Sequence, residues 1–153
     1  MGASVVVCHP ENARKDRRVD LQLLTLQNVR RLQRDAGNVA VGLETFGGPR
    51  VALTYEDIRD LELDMVLDTS HLFASRSLEI VETYAAGILV VHLSEPPSLP
   101  GHTPHMQVGP VCHKVLERLR QKRWQGIITL EYMPHYHCEL LRDRAALERE
   151  LGG

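Results

Sequence analysis

The chain has 153 residues, enough for one domain with a sizeable core. Its net charge is −2 with acids and bases mixed, so no overall basic excess points to nucleic acid; the local cluster Arg14, Lys15, Arg17 and Arg18 reads as a solvated helix start. The three cysteines, Cys8, Cys112 and Cys138, stand far apart without a CxxC pair, no apolar run nears the roughly 20 residues of a membrane span, and no secretory signal opens the chain, so we expect a cytoplasmic protein with free thiols and no membrane association.

In chain order, Ser4 to Cys8 (SVVVC) predicts a buried strand that ends at His9-Pro10, where the proline stops it. Asp16 to Asp35 predicts the strongest helix, with Leu21, Leu24, Val29 and Leu32 near one face and Gly37 closing its end. Asn38 to Glu44 alternates Val39, Val41, Leu43 against Ala40, Gly42, Glu44, a strand whose small residues imply a crowded interior below a carboxylate. Gly47-Gly48-Pro49 predicts a loop, and Thr54 with Asp57 a capping box that opens a short helix to Leu61.

The stretch Met65 to Phe73, MVLDTSHLF, carries an apolar run into Asp68 and then His71. A carboxylate and an imidazole at such a strand end can face one metal or one substrate; the plainer alternative is a helix N-terminus capped by Asp68 or Ser70. Ser75 or Ser77 then predicts the start of a helix closed by Gly87, followed by a strand from Ile88 to Leu93 with Ile88, Val90 and His92 on one side. Glu95 to Pro110, rich in Pro, His and Gly, predicts a surface loop with at most a very short strand near His105 to Val108. Cys112 to Arg120 is helical in pattern, Gly126 to Glu131 is the last strand, and a charged helix after Pro134 carries Leu140, Leu141, Leu147 and Leu151.

This β-α alternation with short connections predicts an α/β fold with a parallel sheet, in which ligands gather at the carboxyl ends of the strands. His9, Glu44, Asp68, His92 and Glu131 all occupy that end. Three carboxylates and one imidazole (Glu44, Asp68, Glu131 and His92) suit one divalent cation, Mn²⁺ or Mg²⁺ first and Zn²⁺ or Co²⁺ also tolerated. Such an ion polarises a carbonyl, and a neighbouring carboxylate can move a proton on the adjacent carbon. Cys8 should face away from His9 and take no part.

The segments HP at His9, LETFGG from Leu43, LDTSHLFA from Leu67, HLSE from His92, HMQVG from His105 and TLEYMP from Thr129 resemble the xylose-isomerase-like TIM-barrel superfamily, which contains sugar phosphate isomerases and epimerases and the endonuclease IV family. The resemblance implies a partial (β/α)8 barrel, strands three to eight, with an open parallel α/β sheet as the fold alternative. It implies that Glu44, Asp68, His92 and Glu131 hold one metal, that Glu44 and Glu131 are also the acid/base pair, and that His71, together with His9 and His105, binds substrate. The activity implied is isomerisation or epimerisation of a sugar, sugar phosphate or keto-polyol by proton transfer next to a carbonyl.

The rival branch is a zinc-dependent apurinic-site DNA endonuclease, in which His9 would join Glu44 at one metal and His71 with His105 would hold another. Against it stand Thr103 where that branch has Asp, and the missing partner of His9. A non-catalytic metal-binding remnant is the third possibility. A full barrel takes about 250 residues, so two strand–helix units are expected to be missing, and a homo-oligomer or a missing N-terminal half is expected to cover the open edges.

Overall fold

The computed structural model describes residues 4–10, 18–46, 51–95, 108–132 and 137–151. The elements are β1 (Val5–Cys8), α1 (Arg18–Asp35), β2 (Ala40–Glu44), α2 (Tyr55–Asp60), β3 (Met65–Asp68), α3 (Ala74–Tyr84), β4 (Ile88–Leu93), α4 (Pro110–Gln121), β5 (Ile127–Leu130) and α5 (His137–Leu151), with a 3-10 turn at Ala85–Gly87. The five strands are all parallel and lie in the order β1-β2-β3-β4-β5. Every crossover therefore steps one place in the same direction. Right-handed crossovers then put all the helices on one face, and the sheet curls into a half-barrel. A doubly wound open sheet reverses direction at a switch point; this one does not, which sets that alternative aside.

The barrel is shorter than the motifs implied. β4 pairs directly with β5, from Val90–Ile127 to Leu93–Leu130, where the motifs implied a further strand between them. With β5 as the eighth barrel strand, β1 takes the place of the fourth, and the described residues hold five strands where six were expected. The candidate strand at His105 to Val108 lies, apart from the irregular Val108, outside the described residues.

The core lies between sheet and helices. Val41, Leu43, Met65, Leu67, Val91 and Leu93 from the strands pack with Val29, Ile58, Ile80, Val115, Leu116 and Leu147 from the helices. Cys8 joins this side, away from His9 as expected, and the three cysteines are free thiols. An irregularity corrects one alternation: the β3–β4 register runs Met65–Ile88 and then Val66–Val90, skipping Leu89. The extra residue flips the parity, so Ile88 falls on the helix side with Val91 and Leu93 rather than with Val90 and His92.

Local signals set several boundaries. Thr54 and Asp57 form the reciprocal capping box, Thr54 N donating to Asp57 Oδ2 at 2.8 Å and Asp57 N to Thr54 Oγ1 at 3.3 Å. Gly37 ends α1 in the left-handed region, φ +63°. Pro110 occupies the first turn of α4, where its missing N–H costs nothing, and so the helix starts ahead of Cys112. α3 begins at Ala74 without a side-chain cap, and Ser77 is buried inside it rather than at its start. The two helices at the sheet edges bury less than expected. Leu24 (49%) and Leu32 (45%) of α1 and Leu141 (71%) of α5 are exposed, because each helix has one flank with no neighbouring helix among the described residues. No helix among the described residues is long and apolar enough to cross a membrane.

Candidate metal and acid–base centre

The strand register assembles the site. Asp68 pairs with His92, and His92 with Thr129, two residues before Glu131; Glu44 pairs with Val66, two residues before Asp68. A side-chain period of two then puts Glu44, Asp68, His92 and Glu131 on the inner face, climbing along the curl. Gly42 leaves the room below: a Cβ there would stand 2.8 Å from Val66 Cγ2, so the small residue under Glu44 is sterically required.

The side chains meet. His92 Nδ1 lies 3.5 Å from Glu44 Oε2 and 2.9 Å from Glu131 Oε2. His71 Nδ1 lies 3.2 Å from Glu44 Oε1 and 3.4 Å from Asp68 Oδ2. His9 Nε2 lies 2.7 Å from Glu44 Oε2. Two triads have ligand atoms all within 4.8 Å of one another, Glu44–Asp68–His71 and Asp68–His92–Glu131, and Asp68 is common to both. The structure thus brings together every sequence-predicted residue except His105, which lies outside the described residues.

Asp68 is not a helix cap. Its Oδ1 accepts from Ser70 N (2.6 Å), Ser70 Oγ (2.7 Å) and His71 N (3.2 Å), an Asx-type turn that leaves Oδ2 turned toward the site. Two threonines missed by the sequence reading fix the strand ends. Thr45 Oγ1 accepts from Asp68 N at 3.0 Å, and Thr69 Oγ1 accepts from Ser94 N at 3.0 Å while donating to Ser94 O. The signal was present as the repeat Glu-Thr and Asp-Thr, a hydroxyl directly after each strand-end carboxylate. Phe46 was also missed: its ring stacks on His71 with centroids 4.1 Å apart and meets His9 edge-on at 5.3 Å.

Burial pushes the Glu44 carboxyl up, but the His71 hydrogen bond and the charges of His9, His92 and His71 outweigh it and hold Glu44 below the ordinary carboxylate range. Asp68 goes the other way: burial dominates and raises it, with Glu44 adding to the rise, against the opposing pull of His71 and Ser70. Burial lowers His71, yet the Glu44 hydrogen bond and the Asp68 and Glu44 charges carry it above its ordinary value. The centre is therefore an excess of carboxylate partly neutralised by imidazole.

Two buried atoms here, Glu44 Oε2 and His92 Nδ1, make no hydrogen bond of acceptable geometry. An unsatisfied buried acceptor beside an unsatisfied imidazole nitrogen is costly in an apolar surround. A divalent cation between oxygen-rich ligands with one imidazole removes that cost, so the donor set fits such an ion.

No family model matches the sequence, and no curated protein does. Among solved structures, a D-tagatose 3-epimerase-like protein superposes with a TM-score of 0.73, covering 97% of this chain and 62% of that chain at 22% sequence identity. The likeness is one of fold: a partial TIM barrel, as the motifs implied. This chain spans about three-fifths of that protein's length, in keeping with five strands of a closed barrel's eight.

Proposed function

We propose that this chain is a divalent-metal-dependent isomerase or epimerase of a sugar, sugar phosphate or keto-polyol, acting by proton transfer next to a carbonyl. The observation that carries this reading is the convergence of Glu44, Asp68, His92 and Glu131, with Glu44 Oε2 and His92 Nδ1 buried and without hydrogen bonds. Those four residues would hold the ion, Mn²⁺ or Mg²⁺ before Zn²⁺ or Co²⁺. When bound, such an ion supplies polarisation of a carbonyl and a lower pKa for adjacent hydroxyls.

The remaining work falls to the side chains. Glu44, held below the ordinary carboxylate range, is anionic and can take a proton at a carboxylate oxygen. Glu131, with its side chain 54% exposed, can reach the substrate from the rim and return a proton. Glu44 and Asp68 favour the protonated form of His71, which can donate to a substrate oxygen as an enediolate develops. His9, 65% exposed, lines the solvent side of Glu44. The fold likeness to a protein described as D-tagatose 3-epimerase-like supports the substrate class. Among the described residues both outer strands have unpaired edges, and self-association through them belongs to the same reading; sedimentation over a dilution series measures it.

The test is exchange of substrate C–H protons with deuterated water, followed by NMR across ketoses, their phosphates and keto-polyols, with and without Mn²⁺ or Mg²⁺. Metal-dependent exchange at a carbon next to the carbonyl is expected. Metal binding without exchange on any compound would leave a non-catalytic metal protein.

One observation favours a second reading, a zinc-dependent apurinic-site DNA endonuclease: the triad Glu44–Asp68–His71 beside Asp68–His92–Glu131 offers room for two ions. That reading predicts binding of more than one zinc and incision of duplex DNA at abasic sites. The net charge of −2 offers little of the cationic surface that phosphate binding needs.

A further inference from the structure

We propose that Phe46 is a positioning residue, whose ring sets His9 and His71 on opposite oxygens of Glu44. The inference rests on the proton-transfer reading for its consequence, though not for its geometry. Phe46 follows Glu44 by two residues, so it leaves the end of β2 on the same side as the carboxylate. Its ring stacks on His71, 27° from parallel with centroids 4.1 Å apart, and meets His9 edge-on at 65° and 5.3 Å. The two imidazoles flank one phenyl ring and reach past it to one carboxylate. His9 Nε2 approaches Oε2 at 2.7 Å, and His71 Nδ1 approaches Oε1 at 3.2 Å.

The two histidines need such a spacer. His9 is 65% and His71 34% exposed at the side chain, so neither is locked by deep burial. An exposed imidazole rotates freely about χ2, and a rotated ring presents carbon rather than nitrogen to its partner. Aromatic contact of the observed kinds is favourable and biases each rotor toward the orientation that faces Glu44. The buried carboxylate in turn has an imidazole nitrogen close to each of its oxygens, which restricts the plane it can take. Phe46 thus acts through His9 and His71 upon Glu44 and need not touch the substrate.

The experiment compares wild type with Phe46→Leu and Phe46→Tyr, without added metal, by NMR of the histidine side chains at one fixed pH. In wild type, cross-relaxation between the Phe46 and His71 ring protons and a ring-current displacement of the His71 signals are expected. The imidazole nitrogen shifts should show His71 carrying its proton on Nδ1. Phe46→Tyr should keep this pattern. Phe46→Leu keeps apolar bulk but lacks the stacking face, and should shift His71 toward a mixture of tautomers.

In the exchange assay Phe46→Leu should lower kcat by roughly 10–100-fold with KM little changed, the signature of misplaced rather than missing chemistry, and Phe46→Tyr should restore it. No Phe46–His71 cross-relaxation in wild type would overturn the proposal even if the leucine variant fails to fold. An unchanged His71 tautomer in a folded Phe46→Leu would overturn it too. A wild type that exchanges no proton removes the isomerase reading alone, because the imidazole spectra still decide whether Phe46 positions the histidines.

Discussion

The three central strands and the two outer ones contribute to the same rim in different ways. Every residue of β3 and four of five in β2 are buried, whereas every residue of β1 and β5 is half-buried or exposed. The donors follow their strands: Glu44 and Asp68 have side chains 2% exposed and His92 13%, against 65% for His9 and 54% for Glu131. A buried group is fixed by its neighbours and pays for desolvation with partners, which is what an ion-holding ligand requires. A rim group on an edge strand can move and exchange protons with solvent. On the proposed function, strand position would hold Glu44, Asp68 and His92 in place and leave Glu131, both ligand and acid–base residue, open to solvent.

Glu131→Gln attacks the mobile side and should produce the largest effect. It keeps the shape of the side chain while removing the proton acceptor, so exchange should fall on the order of 10²–10⁴-fold. Saturating metal should not restore it. Stability should stay within about 0.5 kcal/mol, as for other surface positions. Exchange as fast as wild type at saturating metal would reduce Glu131 to a ligand and blur the distinction between edge and centre.

The same distinction predicts unequal stability losses. Leu67, fully buried in β3, should cost about 2–5 kcal/mol on replacement by alanine, because both its transfer energy and a cavity count against it. Val6 in β1 is 41% exposed, and Val6→Ala should cost below about 1 kcal/mol. Urea unfolding with a common m-value reads both. Equal losses would mean that something covers the β1 edge in solution.

Gly42→Ala probes the centre from below the site. The added methyl would meet Val66 Cγ2 at 2.8 Å, and Val66 is fully buried with a stiff branched side chain. Overpacking of this kind should cost about 1–3 kcal/mol. A neutral substitution would show that the strands have more slack beneath Glu44 than the register implies.

Much of this arrangement was legible in the sequence because both relevant periods are short. Alternation in Ala40–Glu44 placed Glu44 opposite the helix-packed face, and apolar runs ending in Asp68, His92 and Glu131 marked strand ends. Three things were not legible. The bulge at Leu89 depends on how β3 and β4 pair, which no single strand encodes. The order of the strands depended on whether one lies between β4 and β5, and only their direct pairing answers that. Leu24, Leu32 and Leu141 carry helix-face periodicity, but periodicity does not say whether a neighbour is there to cover the face. The Thr45, Thr69 and Phe46 contacts lie between strand ends distant in sequence, so they emerged only with the register.

The smallest expected effect concerns how the outer strand β5 is held at the rim. Where the central strands are wedged by neighbours, the end of β5 is tethered by side chains. Tyr132, directly after Glu131, donates from its hydroxyl to Asp143 Oδ2 at 2.7 Å and accepts from Val108 N at 3.1 Å, while Arg142 Nε donates to Asp143 Oδ1 at 3.0 Å. Burial pushes the Asp143 carboxyl up, but the Tyr132 and Arg142 hydrogen bonds and the Arg142 charge prevail and hold it below its ordinary 3.8. A depressed folded pKa stabilises the fold above the unfolded value, and this contribution is lost as pH falls from about 3.8 through the lower folded value. Asp143→Asn removes it at every pH and should cost about 1 kcal/mol at neutrality, the typical net worth of a hydrogen bond. Its stability should then fall less steeply than that of wild type on the acid side. Denaturant midpoints measured between neutral pH and the onset of acid unfolding give the slope for each protein. Parallel curves would show that Asp143 is not held ionised by Tyr132 and Arg142, and that the rim of β5 depends on its one neighbouring strand after all.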